Sequence, residues 1–510
     1  MKANRWIYSL LVLLSGMNLQ AQTAPEMPKL VVVVVIDQLR GDYLDYSLPV
    51  FGDKGFKRLM RNGLCYRSVE FDLPNKCEAS SVADIFTGAS SYYNGIGGDA
   101  YFDWEKNREI SIVEDENFIG NYTSARVSPL SMTASTIGDE LKIASQGQSR
   151  VYAIAANATS AVLSAGKYAN AAFWLDETTG QWATSTYYKE FPSYIENYNA
   201  HEAIGNYQEW QWKQSYASFT PLPYSDLKDP FTYKFAKNDN ARFKKMKHTP
   251  LLNAEITNLA EKFFDNAGFT RQKTPDMFIL HYYAGNYEDS PASSDYNYEI
   301  QDIYYRLDKE IEKLLELIER KIGLKRTLIV LTSTGYYRPL PKQNTIFKPA
   351  GEFYPNRCTS LLNMYLMAIY GRENWVKGYF DKQIFLNKQL AEEKQIKWND
   401  LLTSAAEFAA QFSGVRHVTK LADDSRLPVR HRGDLLLELQ SGWVIADLPN
   451  VSPQPIAIPT APLIFFGENV RKEQVANPVK ATQIAPTLSY LLRIPAPNAC
   501  KERPLVVVSD

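Results

Sequence analysis

The sequence predicts an α/β protein with a mostly parallel central sheet sandwiched by helices, interrupted by polar, aromatic-rich insertions. Three observations lead there: the run "LVVVVVID", the apolar stretch "PDMFILHYYAGN", and "RTLIVLTSTG" directly after a long amphipathic segment. Unbroken apolar runs of this length are typical of strands buried on both faces. Such strands alternating with amphipathic helices imply a parallel sheet covered by helices.

The elements follow in order. "MKANRWIYSLLVLLSGMNLQAQ" reads as a secretory signal peptide over residues 1–22, with Lys2 and Arg5, an apolar run from Ile7 to Leu14 and a small-residue exit at Ala21. That run is too short to span a bilayer, and no later segment approaches a span, so the expected location is the periplasm. The Cys that a lipoprotein needs after the apolar run is missing. Val31–Ile36 form the first strand, with Asp37 at its carboxyl end, where ligands gather in open α/β sheets. An acid there also serves simply to cap the next turn.

"LPNKCEASSVADIFTG" is a loop running into a helix, and Glu78 stands at the entry. Helix N-termini attract anions and are a common seat for phosphate chemistry. In "EIQDIYYRLDKEIEKLLELIERKIG", Ile300, Ile303, Leu307, Ile311, Leu314, Leu315 and Ile318 share one face, and Gly323 ends the helix. "APLIFFG" and "IAPTLSYLLRI" supply a late strand and helix. The core is expected over 29–198, 250–336 and 441–506 of a domain spanning 29–506, with insertions at 199–249 and 337–440. Within the second insertion, "ADDSRLPVRHRGDLLLELQSGWVI" reads as a return to strand structure.

Composition narrows the function classes. A net charge of -1 and a pI near 6.6 leave no basic field for nucleic acid. Aromatics at 13% with 32 Tyr suit either packed cores or carbohydrate-binding surfaces. "NYQEWQWKQSYASF", Asn206 to Phe219, is the candidate glycan or envelope platform, and "KFAKNDNARFKKMKH" is a local basic patch around Lys244 and Lys245. Cys65, Cys77, Cys358 and Cys500 form either up to two disulfides or free buried thiols, and their spacing is not that of a zinc site.

Collinear segments then suggest a relationship. "VVVIDQLRGDYL", "GFKRLMRNG", "IFTGASSYYNGIGGDAYFD", "AGKYANAAFWLDETTGQWATSTYY", "YYRLDKEIEKLLELIE" and "PVKATQIAPTLSYLLRIPAPN" together resemble the alkaline phosphatase superfamily, over about 29–506. The nearest likeness is to periplasmic phosphate-irrepressible alkaline phosphatases and the nucleotide pyrophosphatase/phosphodiesterases. The resemblance implies two zinc ions held by three aspartates and three histidines, with a threonine or serine nucleophile at a helix N-terminus.

Carried over position by position, that machinery is largely missing. Asp37 matches the first aspartate, but the nucleophile position is Glu78, with Ser80 and Ser81 displaced from it. Asn286 and Ser290 fall at the next aspartate and histidine, with Asp289 adjacent, and Thr334 and Gly335 replace an Asp-His pair. The last histidine has no counterpart in "VIADLPNVSPQPIAIPTAP". Asn157 and Thr159 stand where the monoesterases carry Lys and Arg, and Asp99 replaces a phosphate-binding asparagine. The chain has five histidines, His201, His248, His281, His417 and His431, none with the expected placement for a binuclear site.

The resemblance therefore implies a fold whose metal ligands and nucleophile are lost. Glu78 would occupy the phosphate's seat, and nothing cationic is expected to oppose it and Asp99. The expected function is that of a pseudoenzyme, a periplasmic binding or scaffold subunit with a periplasmic or outer-membrane protein partner and no bound cofactor. One alternative is a metal-dependent phosphomonoesterase or phosphodiesterase with a rebuilt site, in which Asp37, Glu78, Asp99 and Asp289 hold a single Ca²⁺ or Mg²⁺ ion. Another is a glycan- or envelope-binding module.

Overall fold

The computed structural model describes residues 27–73, 76–207, 209–215, 231–292, 294–340, 351–421, 427–440, 443–446 and 456–508. The expected signal peptide lies outside them. Among the described residues, no helix is long and apolar enough to cross a membrane.

Ten strands form the main sheet: β1 (Leu30–Asp37), β2 (Leu64–Tyr66), β3 (Gly120–Asn121), β4 (Val151–Ala155), β5 (Ala171–Leu175), β6 (Trp182–Ser185), β7 (Asp276–Tyr283), β8 (Thr327–Ser333), β9 (Leu463–Phe466) and β10 (Glu473–Val475). Their spatial order is β10-β2-β9-β8-β1-β7-β4-β5-β6-β3. The central block β8-β1-β7-β4-β5 is parallel throughout, and β9 and β6 run antiparallel on its two sides. β1 is central because both faces of its valine run are apolar. Val33 lies level with Ile279 on one side and Val330 on the other, and Leu30 to Ile36 are all buried.

The helices that build the site and cover the sheet are α1 (Glu78–Thr87), α2 (Ala158–Ala165), α3 (Pro250–Asn266), α4 (Tyr298–Lys321), α5 (Pro355–Tyr370), α6 (Trp398–Ala409) and α7 (Ile484–Leu492). α3 packs against α4, while α1 packs against α2 and α7. The seven apolar positions read on α4 are all buried. The helix starts at Asn297, whose side chain accepts from Ile300 N at 2.8 Å, and its exit turns at Gly323, with φ of +95°.

The insertions differ from each other. In the first, Glu209–Lys213 and Thr232–Ala236 form an antiparallel ribbon. Trp212 is fully buried there, its Nε1 donating to Asp302 at 2.7 Å amid Phe231, Tyr233 and Tyr287. Trp210 packs on Phe243 beneath the Arg242 guanidinium. These two tryptophans serve packing, while Tyr207 of the same stretch is exposed; residues 216–230 lie outside the described ones.

The second insertion has a core of its own. α5 and α6 cover a four-stranded sheet of Val376–Phe380, Gln383–Leu386, Leu435–Leu439 and Val415–Lys420, burying Leu362, Leu366, Trp375, Leu401 and Leu435. The strand expected near its end exists as Leu435–Leu439, but it pairs within this smaller sheet and not with the main one. All four cysteines are free thiols; Cys65, Cys77 and Cys358 are buried and Cys500 is partly so.

Candidate functional site

The carboxyl end of β1 meets the N-termini of α1 and α2 and the segment that follows β8. Parallel strands deliver their loops to one edge of the sheet, so residues far apart in sequence converge there. Asp37 is the first of them. Its Oδ1 accepts from Thr334 Oγ1 at 2.8 Å and its Oδ2 from Gln38 Nε2 at 3.2 Å. Burial pushes its pKa up, against those hydrogen bonds and the nearby Arg338 charge.

Gln38 holds this corner in an unusual backbone state. Its φ of +61° lies in the left-handed region, uncommon for a residue with a β-carbon. The conformation is secured by Gln38 N donating to Thr334 Oγ1 at 2.9 Å and by Arg338 N donating to Gln38 Oε1 at 2.9 Å. Backbone strain of this kind tends to persist where tertiary contacts over-determine it.

Glu78 is the first residue of α1. Asn157 Nδ2 donates to its Oε2 at 2.7 Å, and the Ser160 hydroxyl donates to its Oε1. Asn157 is also the N-cap of α2, its Oδ1 accepting from Ser160 N at 2.9 Å. One carboxyl group therefore ties two helix N-termini together. Burial and the neighbouring Asp37 push the Glu78 pKa up to about 8, with Ser160 and Asn157 acting the other way. Asp99 completes the helix start, accepting from Ala79 N at 2.9 Å.

Several positions depart from expectation. Ser80 and Ser81 offer no replacement nucleophile: Ser80 Oγ lies 2.7 Å from Cys77 Sγ, Ser81 Oγ donates to Cys77 O at 2.8 Å, and both are buried. Thr159 is half-buried on α2, and Ser160 makes the contact to Glu78 instead, because the helical turn begun by Asn157 aims it there. Asn286 is directed at Asp295 and the Arg338 carbonyl, both at 3.2 Å. Ser290 donates to Glu299 at 2.9 Å, so it joins the α4 packing and not the cluster around Asp37. Gly335, with φ of +74°, lets the Phe71 ring lie against the backbone and lines a cleft of about 770 Å³ with Phe71, Asp84 and Tyr93. Asp289 is drawn off by Lys245 at 3.5 Å, which removes it from the four-acid cation site considered above.

The expectation that nothing cationic faces the acids is corrected by Arg338. Its guanidinium lies 3.7 Å from Asp99. Burial works against its charge, yet Tyr336, Asp99, Asp37 and Glu78 hold its pKa above the ordinary value. No motif signals this residue; only the turn after β8 brings it across. His248 also returns from the first insertion to the rim, its ring 5.2 Å from that of Tyr283 and 3.8 Å from Glu288. Burial lowers its pKa, against the pull of Glu288 and Asp37. His281 is a core residue, with neither ring nitrogen partnered and its pKa lowered by burial to about 3. His431 is buried in the second insertion, while His201 and His417 are exposed.

The donor set does not fit a pair of zinc ions. Around Asp37 stand Thr334 and Gln38, neutral hydroxyl and amide groups that already hydrogen-bond to it. Zinc sites draw on imidazole, thiolate and carboxylate, and need anionic ligands to offset the ion's charge. Among the described residues, no three His, Cys, Asp or Glu side chains gather as a metal-holding group.

The fold places the chain in a recognisable class, the alkaline phosphatase-like proteins. The chain belongs to the type I phosphodiesterase / nucleotide pyrophosphatase family, whose profile matches residues 31–453. A Myroides odoratus protein described as a calcium-transporting ATPase is 27% identical over 519 residues, covering 93% of each chain. Alkaline phosphatase PafA of Elizabethkingia meningoseptica is 23% identical over 548 residues, covering 99% of this chain and 98% of PafA. The crystal structure of wild type PafA matches with a TM-score of 0.76 at 22% identity, over 95% of this chain and all of that one. The alkaline phosphatase-like fold read from the sequence is thereby borne out.

Proposed function

We propose that this chain is a non-catalytic member of its family, exported to the periplasm and acting by binding, as a partner or scaffold subunit for another envelope protein. The observation that carries the reading is Glu78. A carboxyl group stands at the first turn of α1, tied by Asn157 and Ser160, at the position where the family resemblance calls for a hydroxyl nucleophile. A helix N-terminus is a seat for an anion, and here a carboxyl group of the protein itself fills that seat. Attack on a phosphoryl group needs an activated nucleophile and a cationic cradle. The neutral groups around Asp37 and the pairing of Arg338 with Asp99 support the absence of both.

The test is elemental analysis of the purified protein together with turnover of p-nitrophenyl phosphate and a p-nitrophenyl diester. Less than one tenth of a zinc per chain and no turnover above buffer are expected. Two zincs with chelator-sensitive turnover would sink the reading. A second reading, a hydrolase rebuilt around one hard cation, draws on the convergence of Asp37, Glu78 and Asp99 near Arg338. It requires Ca²⁺ or Mg²⁺ to raise the melting temperature, and a flat response disposes of it.

A further inference from the structure

The cleft beside Gly335 lies at the other end of α1 from Glu78. It opens between the C-terminus of that helix, the segment 68–72 and the chain that follows α7, and its volume of about 770 Å³ is that of a small-molecule site. Asp84, on the last turn of α1, forms part of its wall although only 1% of the residue is exposed. Asn94 Nδ2 donates to Asp84 Oδ1 at 3.1 Å; among the described residues, no hydrogen bond reaches Oδ2. Burial pushes the Asp84 pKa well up, the Asn94 hydrogen bond opposes this, and Asp72 adds to it. Glu70, Asp72 and Glu502 also line the cleft, against Lys480 and Lys501. Lys480 is already paired with Glu502 at 2.8 Å, and the Lys501 ammonium lies 3.7 Å from the centre of the Tyr93 ring. Carboxyl groups therefore outnumber ammonium groups, and both ammonium groups are engaged. The end of α1 abuts the cleft at Gly88 and Ala89, and a helix C-terminus favours cations.

We propose that this cleft binds an alkylammonium group, carried either by a free amine or by a lysine side chain of a partner protein. The ammonium reaches Asp84 Oδ2 with Asp72 beside it, and its methylene stem lies against Phe71, Ile458 and Pro459. A carboxyl group whose ionised form is disfavoured by burial gains most from a cation, because pairing restores the charged form. An anion would meet the surplus of acids, and an uncharged ligand would leave that surplus unbalanced. The inference does not rest on the non-catalytic reading, since none of these charged groups belongs to the cluster around Asp37 and Glu78.

The experiment titrates the full chain calorimetrically with n-butylammonium chloride, with the peptide acetyl-Gly-Lys-Gly-amide and, as an uncharged counterpart, with 1-butanol. Asp84→Asn, which keeps an acceptor for Asn94, and Asp72→Asn are titrated beside the wild type, with circular dichroism to confirm folding. The wild type is expected to bind at least one ammonium probe, and 1-butanol about tenfold or more weakly than that probe. Asp84→Asn should weaken ammonium binding about tenfold or more, and Asp72→Asn about threefold. Tighter binding of the peptide supports a lysine of a partner protein as the source, and tighter binding of n-butylammonium supports a free amine. A folded wild type that binds neither ammonium probe overturns the proposal. Equal binding of 1-butanol overturns it too, as does undiminished binding in the folded variants. If Asp84→Asn does not fold, Asp72→Asn decides by itself.

Discussion

Glu78 ties the N-termini of two helices together through Asn157 and Ser160. Because burial and Asp37 raise its pKa from 4.5 to about 8, the folded protein retains a proton that the unfolded chain releases. The linked stability is fully present below the unfolded value and is lost as pH rises through about 8. Glu78→Gln keeps one acceptor for Asn157 and removes the titration. Melting curves between pH 4 and 9 should fall less steeply with pH for this variant than for the wild type. Identical pH dependence in the wild type and Glu78→Gln would contradict the assigned burial.

At the scale of elements, α2 depends on its N-cap residue more than on its composition. Asn157 both caps the helix and donates to Glu78, so Asn157→Ala removes a cap and leaves a buried oxygen unpaired. Denaturant titration should show a loss of about 1–3 kcal/mol. The loss should be greater at pH 9 than at pH 6, because the Asn157 amide favours ionised Glu78. Strands and long helices were legible in the sequence through periodicity alone, as with the valine run of β1 and the seven-residue stripe of α4. Tying Ser160 to Glu78 was not legible, because it depends on the orientation of two helices more than seventy residues apart.

Among the described residues the molecule carries two apolar cores, one around the main sheet and one within the second insertion. Leu401 is fully buried in the smaller core. Leu401→Ala should cost about 2–5 kcal/mol there. Hydrogen exchange should then accelerate in α6 and in Leu435–Leu439 while β1 and β7 keep their protection. Uniform acceleration across both cores would show that the two units unfold as one.

The amino-acid order settled the strands, the helices and the family likeness, since each of these is a local pattern or a run of collinear segments. It did not disclose Arg338 or His248, nor that Asn286 and Ser290 turn to other partners. Those follow from how loops close over the sheet edge. Contacts between residues as distant as Asp37 and Thr334 depend on chain reversals that no short window of sequence encodes.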